Sequence, residues 1–328
     1  MRGRQVASVG VLIACAVGAT LVGAQQPGVG QGPSSLPLTV PIRERGTSVT
    51  PAFEGWYYEK DGSQRVMIGY FNRNTKQEFD IPAGPNNRIE PGLPDQGQPT
   101  HFNPGRQWGV FTIKAPKDFG TKKMSWTIVA NGFTNTITLH TMPDYIVEPF
   151  EDAANKNTPP KLKFQPAGPI FTGPPIAVAE KFTGTVGVPV PITMWISDEG
   201  PKINVPDPNR GRGRGAAGRG SAGRGAAGAA DAAGAAAPTG FTPPPPMAAT
   251  WTKFRGPGDV KFDNNKPSID RAAEGKTVTN ATFSAPGEYI LRVEGNDSTG
   301  QGGGGFQCCW SNAHVSVTIK PAAGTGGH

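Results

Sequence analysis

Few residues of this sequence have the types and spacing that do chemistry. The histidines are His101, His140, His314 and His328. His101 and His140 lie in one stretch that reads as a single domain, and two imidazoles within ligand distance of each other hold copper or zinc. Two separate surface histidines are the alternative. The segment Pro82 to Arg106 (PAGPNNRIEPGLPDQGQPTHFNPGR) gathers Arg88, Glu90, Asp95, His101 and Arg106. It is longer than compact domains usually allow a loop to be, and such loops tend to be functional or disordered. It reads either as a surface loop packed on its own prolines or as a binding loop for a partner or a small polar ligand. If the chain is an enzyme or an enzyme subunit, its site is expected here.

The adjacent pair Cys308-Cys309 is the other unusual constellation. Consecutive Cα atoms stand about 3.8 Å apart, below the usual disulfide range of roughly 4.4–6.8 Å, so a vicinal disulfide needs a distorted turn. In a regular strand the two thiols would point to opposite faces. Gly302 to Gly305 lie just upstream and argue against a regular strand. A vicinal disulfide that stiffens the loop, two thiols, and intermolecular bridging are all open. Beyond these residues the sequence has no G-x-S-x-G, H-E-x-x-H, P-loop, EF-hand loop or C-x-x-C-H, the patterns that would announce a hydrolase, a zinc protease, a nucleotide site, calcium or haem. No cofactor is expected.

The elements that must position these residues are strands. The 328 residues include 46 glycines and 34 prolines, close to a quarter of the chain, and only 17% are charged. That composition excludes a coiled coil or helical bundle, and the glycines lack the strict period of collagen. The net charge is +7, but it is unevenly placed. Arg2 and Arg4 stand at the start, and residues 203–247 hold Arg210, Arg212, Arg214, Arg219 and Arg224 against Asp207 and Asp231. The rest of the chain is near balance, so no basic face is implied and nucleic acid is not an expected partner.

Residues 1–24 read as a signal peptide. Arg2 and Arg4 form a basic start, Val6 to Ala24 is apolar and uncharged, and Val22-Gly23-Ala24 is a small-residue cleavage site. The mature chain is expected to begin near Gln25. An uncleaved anchor, or a lipid on Cys15 within Leu12-Ile13-Ala14-Cys15, are the alternatives that would tie the protein to a membrane. Cleavage implies a periplasmic or secreted bacterial protein, in an oxidising compartment.

Residues 25–36 form a flexible leader, and 37–150 the first domain. Phe53–Glu59 and Arg65–Asn72 flank an Asp-Gly turn. Lys123–Ala130 and Phe133–Leu139 flank Asn131-Gly132, the strongest hairpin signal in the chain. Residues 151–175 are a Pro-rich linker. The predicted fold is all-β, two antiparallel β-sandwich domains with a disordered Gly/Ala/Arg-rich insert.

The second domain, 176–321, carries a resemblance. Gly187-Val-Pro-Val-Pro-Ile-Thr-Met-Trp-Ile-Ser-Asp198, Trp251-x-Lys-x-x-Gly-Pro-Gly-x-Val260, Thr282-Phe-Ser-Ala-Pro-Gly-Glu-Tyr-x-Leu-Arg-Val293 and Ala313–Ile319 resemble the PKD-type immunoglobulin-like repeat of bacterial secreted and surface proteins. The first domain resembles no family. The resemblance implies that Val190–Ser197, Tyr289–Glu294 and Ala313–Ile319 are strands B, F and G. It implies that Trp251 is the buried tryptophan of strand C and that Tyr289 makes a tyrosine corner. The period-two alternation of these segments agrees with half-buried strands. Residues 199–247 then become an insert in the B–C loop, solvated or in contact with an anionic membrane surface, and 322–328 a flexible tail.

In such a sandwich the B–C and F–G loops emerge at one end. Phe306, Cys308, Cys309 and Trp310 would form a binding tip there, with Asp198 and Asp297 meeting as cation ligands; the alternative is that Phe306 and Trp310 fold back to cap the sandwich. The sequence as a whole points to an exported, non-catalytic binding, adhesion or structural protein of the bacterial envelope, its partner an unknown protein or envelope component. A periplasmic enzyme or enzyme subunit and a periplasmic metal-binding protein are the alternatives.

Overall fold

Short apolar alternations separated by Gly- and Pro-rich turns fold into two stacked pairs of sheets. The structure, a computed structural model, describes residues 42–117, 119–152, 156–200, 247–297 and 309–322. The expected signal peptide and leader, most of the insert, Phe306 and Cys308, and the tail beyond residue 322 lie outside the described residues.

The first sandwich is built from β1 (Val49–Tyr58), β2 (Gln64–Asn72), β3 (Phe79–Asp80), β4 (Asn87–Glu90), β5 (His101–Phe102), β6 (Gly105–Lys114), β7 (Met124–Ala130) and β8 (Phe133–Leu139). One sheet has the order β1-β2-β6, the facing sheet β4-β7-β8, and β3 pairs with β5. The β7–β8 hairpin turns on Asn131 and Gly132 at φ 49° and 77°, the two left-handed residues a tight hairpin needs. Trp126, Ile128, Phe102, Val66 and Ile68 fill the core.

The Pro82–Arg106 segment is not the irregular loop its length predicts. It supplies β4 to one sheet and β5 to the small pair. Its prolines donate no hydrogen bonds, so its carbonyls need other partners. Buried side-chain amides provide them. Asn87 donates to the carbonyls of Ile81 and Pro99, and Gln98 donates to those of Pro94 and Asn87. The indole N–H of Trp126 in turn donates to Asn87 Oδ1 at 3.0 Å.

The second sandwich contains β9 (Lys161–Lys163), β10 (Val178–Thr185), β11 (Val190–Ser197), β12 (Ala248–Arg255), β13 (Val260–Phe262), β14 (Lys276–Phe283), β15 (Gly287–Asn296) and β16 (Trp310–Lys320). Its sheets run β10-β16-β15-β12 and β13-β14-β11-β9. Within them β11, β12, β15 and β16 take the places expected of strands B, C, F and G. Two differences from expectation appear. β9 comes from the segment read as linker and pairs with β11. β10 pairs with β16 in parallel, so the sheets are not wholly antiparallel. Trp251 is 1% exposed in the core. The Tyr289 hydroxyl donates to the Ala285 carbonyl at 2.8 Å, which is the expected tyrosine corner.

All described residues belong to one compact unit. The reason lies in β15. Tyr289, Leu291 and Val293 face the core as their alternation predicts, but Arg292 and Glu294 on the opposite face are buried too. The first sandwich covers them.

Candidate functional site

The described residues with the densest polar chemistry line the junction between the sandwiches. On one side of it, β12 and its neighbours meet the Pro82–Arg106 segment. Lys253 is 7% exposed and its Nζ donates to Asp80 Oδ1 at 2.7 Å. The same oxygen lies 3.1 Å from His101 Nδ1, and Glu78 Oε2 is 3.5 Å from His101 Nε2. Burial pushes the Asp80 carboxyl up, but the bonds from His101 and Lys253 outweigh it and hold the group at about 2. Burial pushes the His101 imidazole down; its bonds to Asp80 and Glu78 outweigh that and raise it above its ordinary value. A polar cleft of about 500 Å³ lies over these groups, between the two sandwiches.

Further along, Arg255 forms a bidentate pair with Asp95, at 2.9 and 2.8 Å, and donates to the Gln98 carbonyl. The Thr100 amide donates to the Phe254 carbonyl at 3.1 Å. Phe254 itself belongs to the core of the first sandwich, although β12 belongs to the second.

At the centre of the junction Arg292, 2% exposed, donates to Asn312 Oδ1, to Gln107 Oε1, to the Trp108 carbonyl and to Glu294. Asn312 Nδ2 donates to the Trp108 carbonyl at 2.9 Å. The His314 ring nitrogen Nε2 is 3.0 Å from the Val110 carbonyl. Burial, aided by the nearby Arg292 charge, holds this imidazole down at about 3, so it is neutral and donates its N–H to that carbonyl. Beside it Glu54 receives Arg106 at 2.5 Å and the Gly109 amide at 2.7 Å, while the Arg106 guanidinium stacks on Trp108 at 3.9 Å. Burial raises the Glu54 carboxyl against the pull of Arg106.

The sequence-predicted site residues fall as follows. Asp95, His101 and Arg106 are engaged within the chain, as above, and Arg88 pairs with Glu90 at 3.0 Å. The segment that reads as a binding loop therefore docks on the second sandwich of the same chain. His101 and His140 are not brought together. His140 packs between Phe53 and Tyr145, at 4.5 and 4.7 Å between ring centroids, and burial lowers its imidazole. Among the described residues no group of three or more His, Cys, Asp or Glu side chains is placed to hold a metal ion.

Asp198 and Asp297 do approach each other. Burial raises the Asp198 carboxyl, and the Asp297 charge raises it further. Asp297 Oδ2 receives Asn157 Nδ2 at 2.6 Å. The binding-tip reading needs correction at Trp310. Its indole is 2% exposed and packs with Tyr57 and Met67 of the first sandwich, so it offers no exposed contact surface. Cys309 is also buried, and its carbonyl receives the Asp297 amide.

Sequence reasoning missed Glu54, Asp80, Lys253, Arg255, Arg292 and Asn312. A usable signal was present on β15 and β12. Ile290 and Phe254 are apolar residues that do not belong to the second sandwich's core, and both pack against the first. An outer strand face that carries apolar residues beside arginine is the mark of a covered face.

No protein-family model matches the chain. No curated protein matches it. Among solved structures, the S-layer protein SbsC is similar over 85% of this chain and 28% of its own, at 9% identity and a TM-score of 0.23; the chain spans little more than a quarter of that protein. A tandem pair of titin immunoglobulin domains matches over 84% of this chain and all of its own, at 10% identity and a TM-score of 0.21. A piece of SbsC comprising domains 4 and 5 matches over 83% of this chain and 98% of its own, at 10% identity and 0.20. Scores of this size support no functional inference. The strand order itself defines the class, an all-β protein with an immunoglobulin-like sandwich.

Proposed function

We propose that this chain is an exported, non-catalytic structural or binding protein of the cell envelope, in which two sandwiches act as one stiff body. One observation carries the reading: the charged residues of the Pro82–Arg106 segment pair with one another or with residues of the two sandwiches, through Asp95–Arg255, His101–Asp80–Lys253 and Arg106–Glu54. Charges that serve a reactive centre are left available to a substrate; these are paired within the chain, and two of the pairs, Asp95–Arg255 and Asp80–Lys253, join the two sandwiches. Export rests on the basic start, apolar run and Ala24 site of the leader. The finer assignment of the second sandwich to the PKD type rests on its Trp251-to-Val260 and Thr282-to-Val293 phrases, and a periplasmic or secreted location follows from the leader.

The test is fractionation of the native cells followed by N-terminal sequencing and cross-linking. Recovery from the envelope or medium with a start near Gln25, cross-linked to an envelope component, is the expected result. Recovery from the cytoplasm with residues 1–24 intact overturns the reading.

A further inference from the structure

The second sandwich has two outer faces, and the first sandwich covers one of them, on β12, β15 and β16. The other belongs to the sheet β13-β14-β11-β9. Alternation and register fix what it carries. Ile192, Met194 and Ile196 of β11 point inward and are buried, so Trp195 points out. It pairs directly with Lys276 on one side and Lys163 on the other, and directly paired residues share a face. Lys161 lies beside Ser197 and Lys261 beside Thr282 on that same face. Its four strands thus turn four lysines outward, and they contain no aspartate or glutamate.

This segregation is hidden in the composition, because the charge outside the leader and the insert is near balance. The acids lie in the turns at the rim. Glu199 pairs with Lys161. Asp263 receives the Thr279 hydroxyl and the Asn280 side-chain amide, and Asp270 receives an amide of its own turn. Asp259 and Glu274 are offset by Lys266 and Arg271 in neighbouring turns. Lys163 donates to the Pro166 carbonyl at 2.9 Å, and Lys276 Nζ stands 6.0 Å from the centre of the Trp195 ring. Among the described residues Lys163, Lys261 and Lys276 have no carboxylate partner.

The face is also apolar at its middle. Trp195 is partly exposed, and Val278, paired with Thr193, is 45% exposed. Tryptophan flanked by lysine suits a membrane–water boundary, where the indole sits among headgroups and the ammonium groups reach the aqueous side. Lysines near a bilayer are drawn to its anionic lipids. The insert adds five arginines against two aspartates and is joined to the end of β11, the strand that carries Trp195. A second copy of the chain does not suit this face, since two lysine-bearing faces repel.

We infer that the outer face of the sheet β13-β14-β11-β9 docks on a bilayer containing anionic phospholipid. Lys163, Lys261 and Lys276 meet the phosphates, and Trp195 with Val278 enters the headgroup layer. The inference does not depend on the stiff-body reading above, because vesicle binding is a property of the face wherever the chain resides.

The test is co-sedimentation of the full chain with vesicles of phosphatidylcholine, alone or mixed with phosphatidylglycerol. Binding should require phosphatidylglycerol and fade with added salt. Lys163→Gln, Lys261→Gln and Lys276→Gln together should weaken it roughly a hundredfold, about fivefold for each lysine, with the melting temperature unchanged. The same three positions changed to arginine should keep it. Trp195→Phe should remove the quenching of tryptophan fluorescence by brominated lipid. Replacing the arginines at 210, 212, 214, 219 and 224 by glutamine should leave most of the binding. Salt-insensitive binding to phosphatidylcholine alone, as the apolar residues 6–24 would give, overturns the inference. So does full binding by the triple glutamine variant, loss of binding in the insert variant alone, or quenching that persists in Trp195→Phe. Lysine-dependent capture by polygalacturonate or single-stranded DNA, with none by vesicles, would assign the face to a different polyanion and likewise overturn it.

Discussion

The indole of Trp310 lies across the backbone of Gly109, so closely that a Cβ on Gly109 would overlap the ring. Trp310 opens β16 of the second sandwich, and Gly109 sits in β6 of the first at φ 48°. Glycine is needed there twice over, for the left-handed backbone and for the space. The same residue's amide donates to the buried carboxylate of Glu54, so one position ties together the apolar and the charged parts of the junction.

Gly109→Ala should therefore destabilise the protein by at least about 2 kcal/mol, from overpacking and backbone strain together. Trp310→Ala should cost about 3–5 kcal/mol, as truncation of a core aromatic does. The two costs should not add, because removing the indole frees the space the new Cβ needs. Urea unfolding of the two single variants and the double variant measures this. Strict additivity would show that the ring and the glycine do not meet.

Arg292→Met takes the guanidinium away from buried Glu294 and removes the donor to Gln107 Oε1 and Asn312 Oδ1. The expected loss is about 3–5 kcal/mol. Calorimetry should show one transition, lower in temperature but still single, because both sandwiches lose the same contact. Two separate transitions in the native protein would contradict the shared junction.

His314 is neutral in the fold, its imidazole held near 3, against an ordinary value of 6.5. Above that ordinary value it is neutral in both states and the fold keeps its full stability. As pH falls from about 6.5 towards 3 the unfolded chain takes up a proton that the fold refuses, and stability declines by about 1.4 kcal/mol per pH unit for this group. Arg292 and Arg255 face it and reinforce the effect. His314→Gln, which keeps a donor for the Val110 carbonyl, should flatten the acid limb of a stability-against-pH curve. An unchanged limb in that variant counts against the assignment.

His101 works in the opposite direction. Its raised value means that the stability it contributes is complete below about 6.5 and is lost as pH rises through its folded value. Asp80, held at about 2 by His101 and Lys253, contributes above its ordinary value of 3.8 and fails only in strong acid. His101→Gln should remove the decline in melting temperature that sets in above about pH 6.5 and, because His101 helps to hold the Asp80 carboxyl down, should also reduce the stability that Asp80 contributes on the acid side. A decline of the same size in the variant would place its origin elsewhere.

The core of each sandwich was legible in the sequence because period-two alternation places Trp126 and Ile128, or Leu291 and Val293, on one face without reference to anything distant. Asn131-Gly132 and Tyr289 were legible for the same reason, since a tight turn and a tyrosine corner are local devices. The junction was not. Arg292 and Glu294 have the pattern of a solvated face, and only a second sheet some 180 residues away in sequence turns that face inward. The charges of the Pro82–Arg106 segment were visible, but their partners Lys253 and Arg255 belong to a strand whose alternation shifts at a bulge between residues 253 and 255. The strands β4 and β9 were missed because each is short and flanked by proline, and each exists through pairing with a neighbour rather than through its own composition.

Phe254 is carried by one sandwich and housed in the core of the other. Repeated β-sandwiches are commonly duplicated, reordered or exchanged between proteins as separate beads, each bringing a finished surface. A cut between these two would leave a hole in the first and an apolar, arginine-bearing wound on the second. The unit that recombination or a protein engineer can move intact is the pair, and a copy of either half placed in a new protein would need its outer face redesigned before it could stand in water.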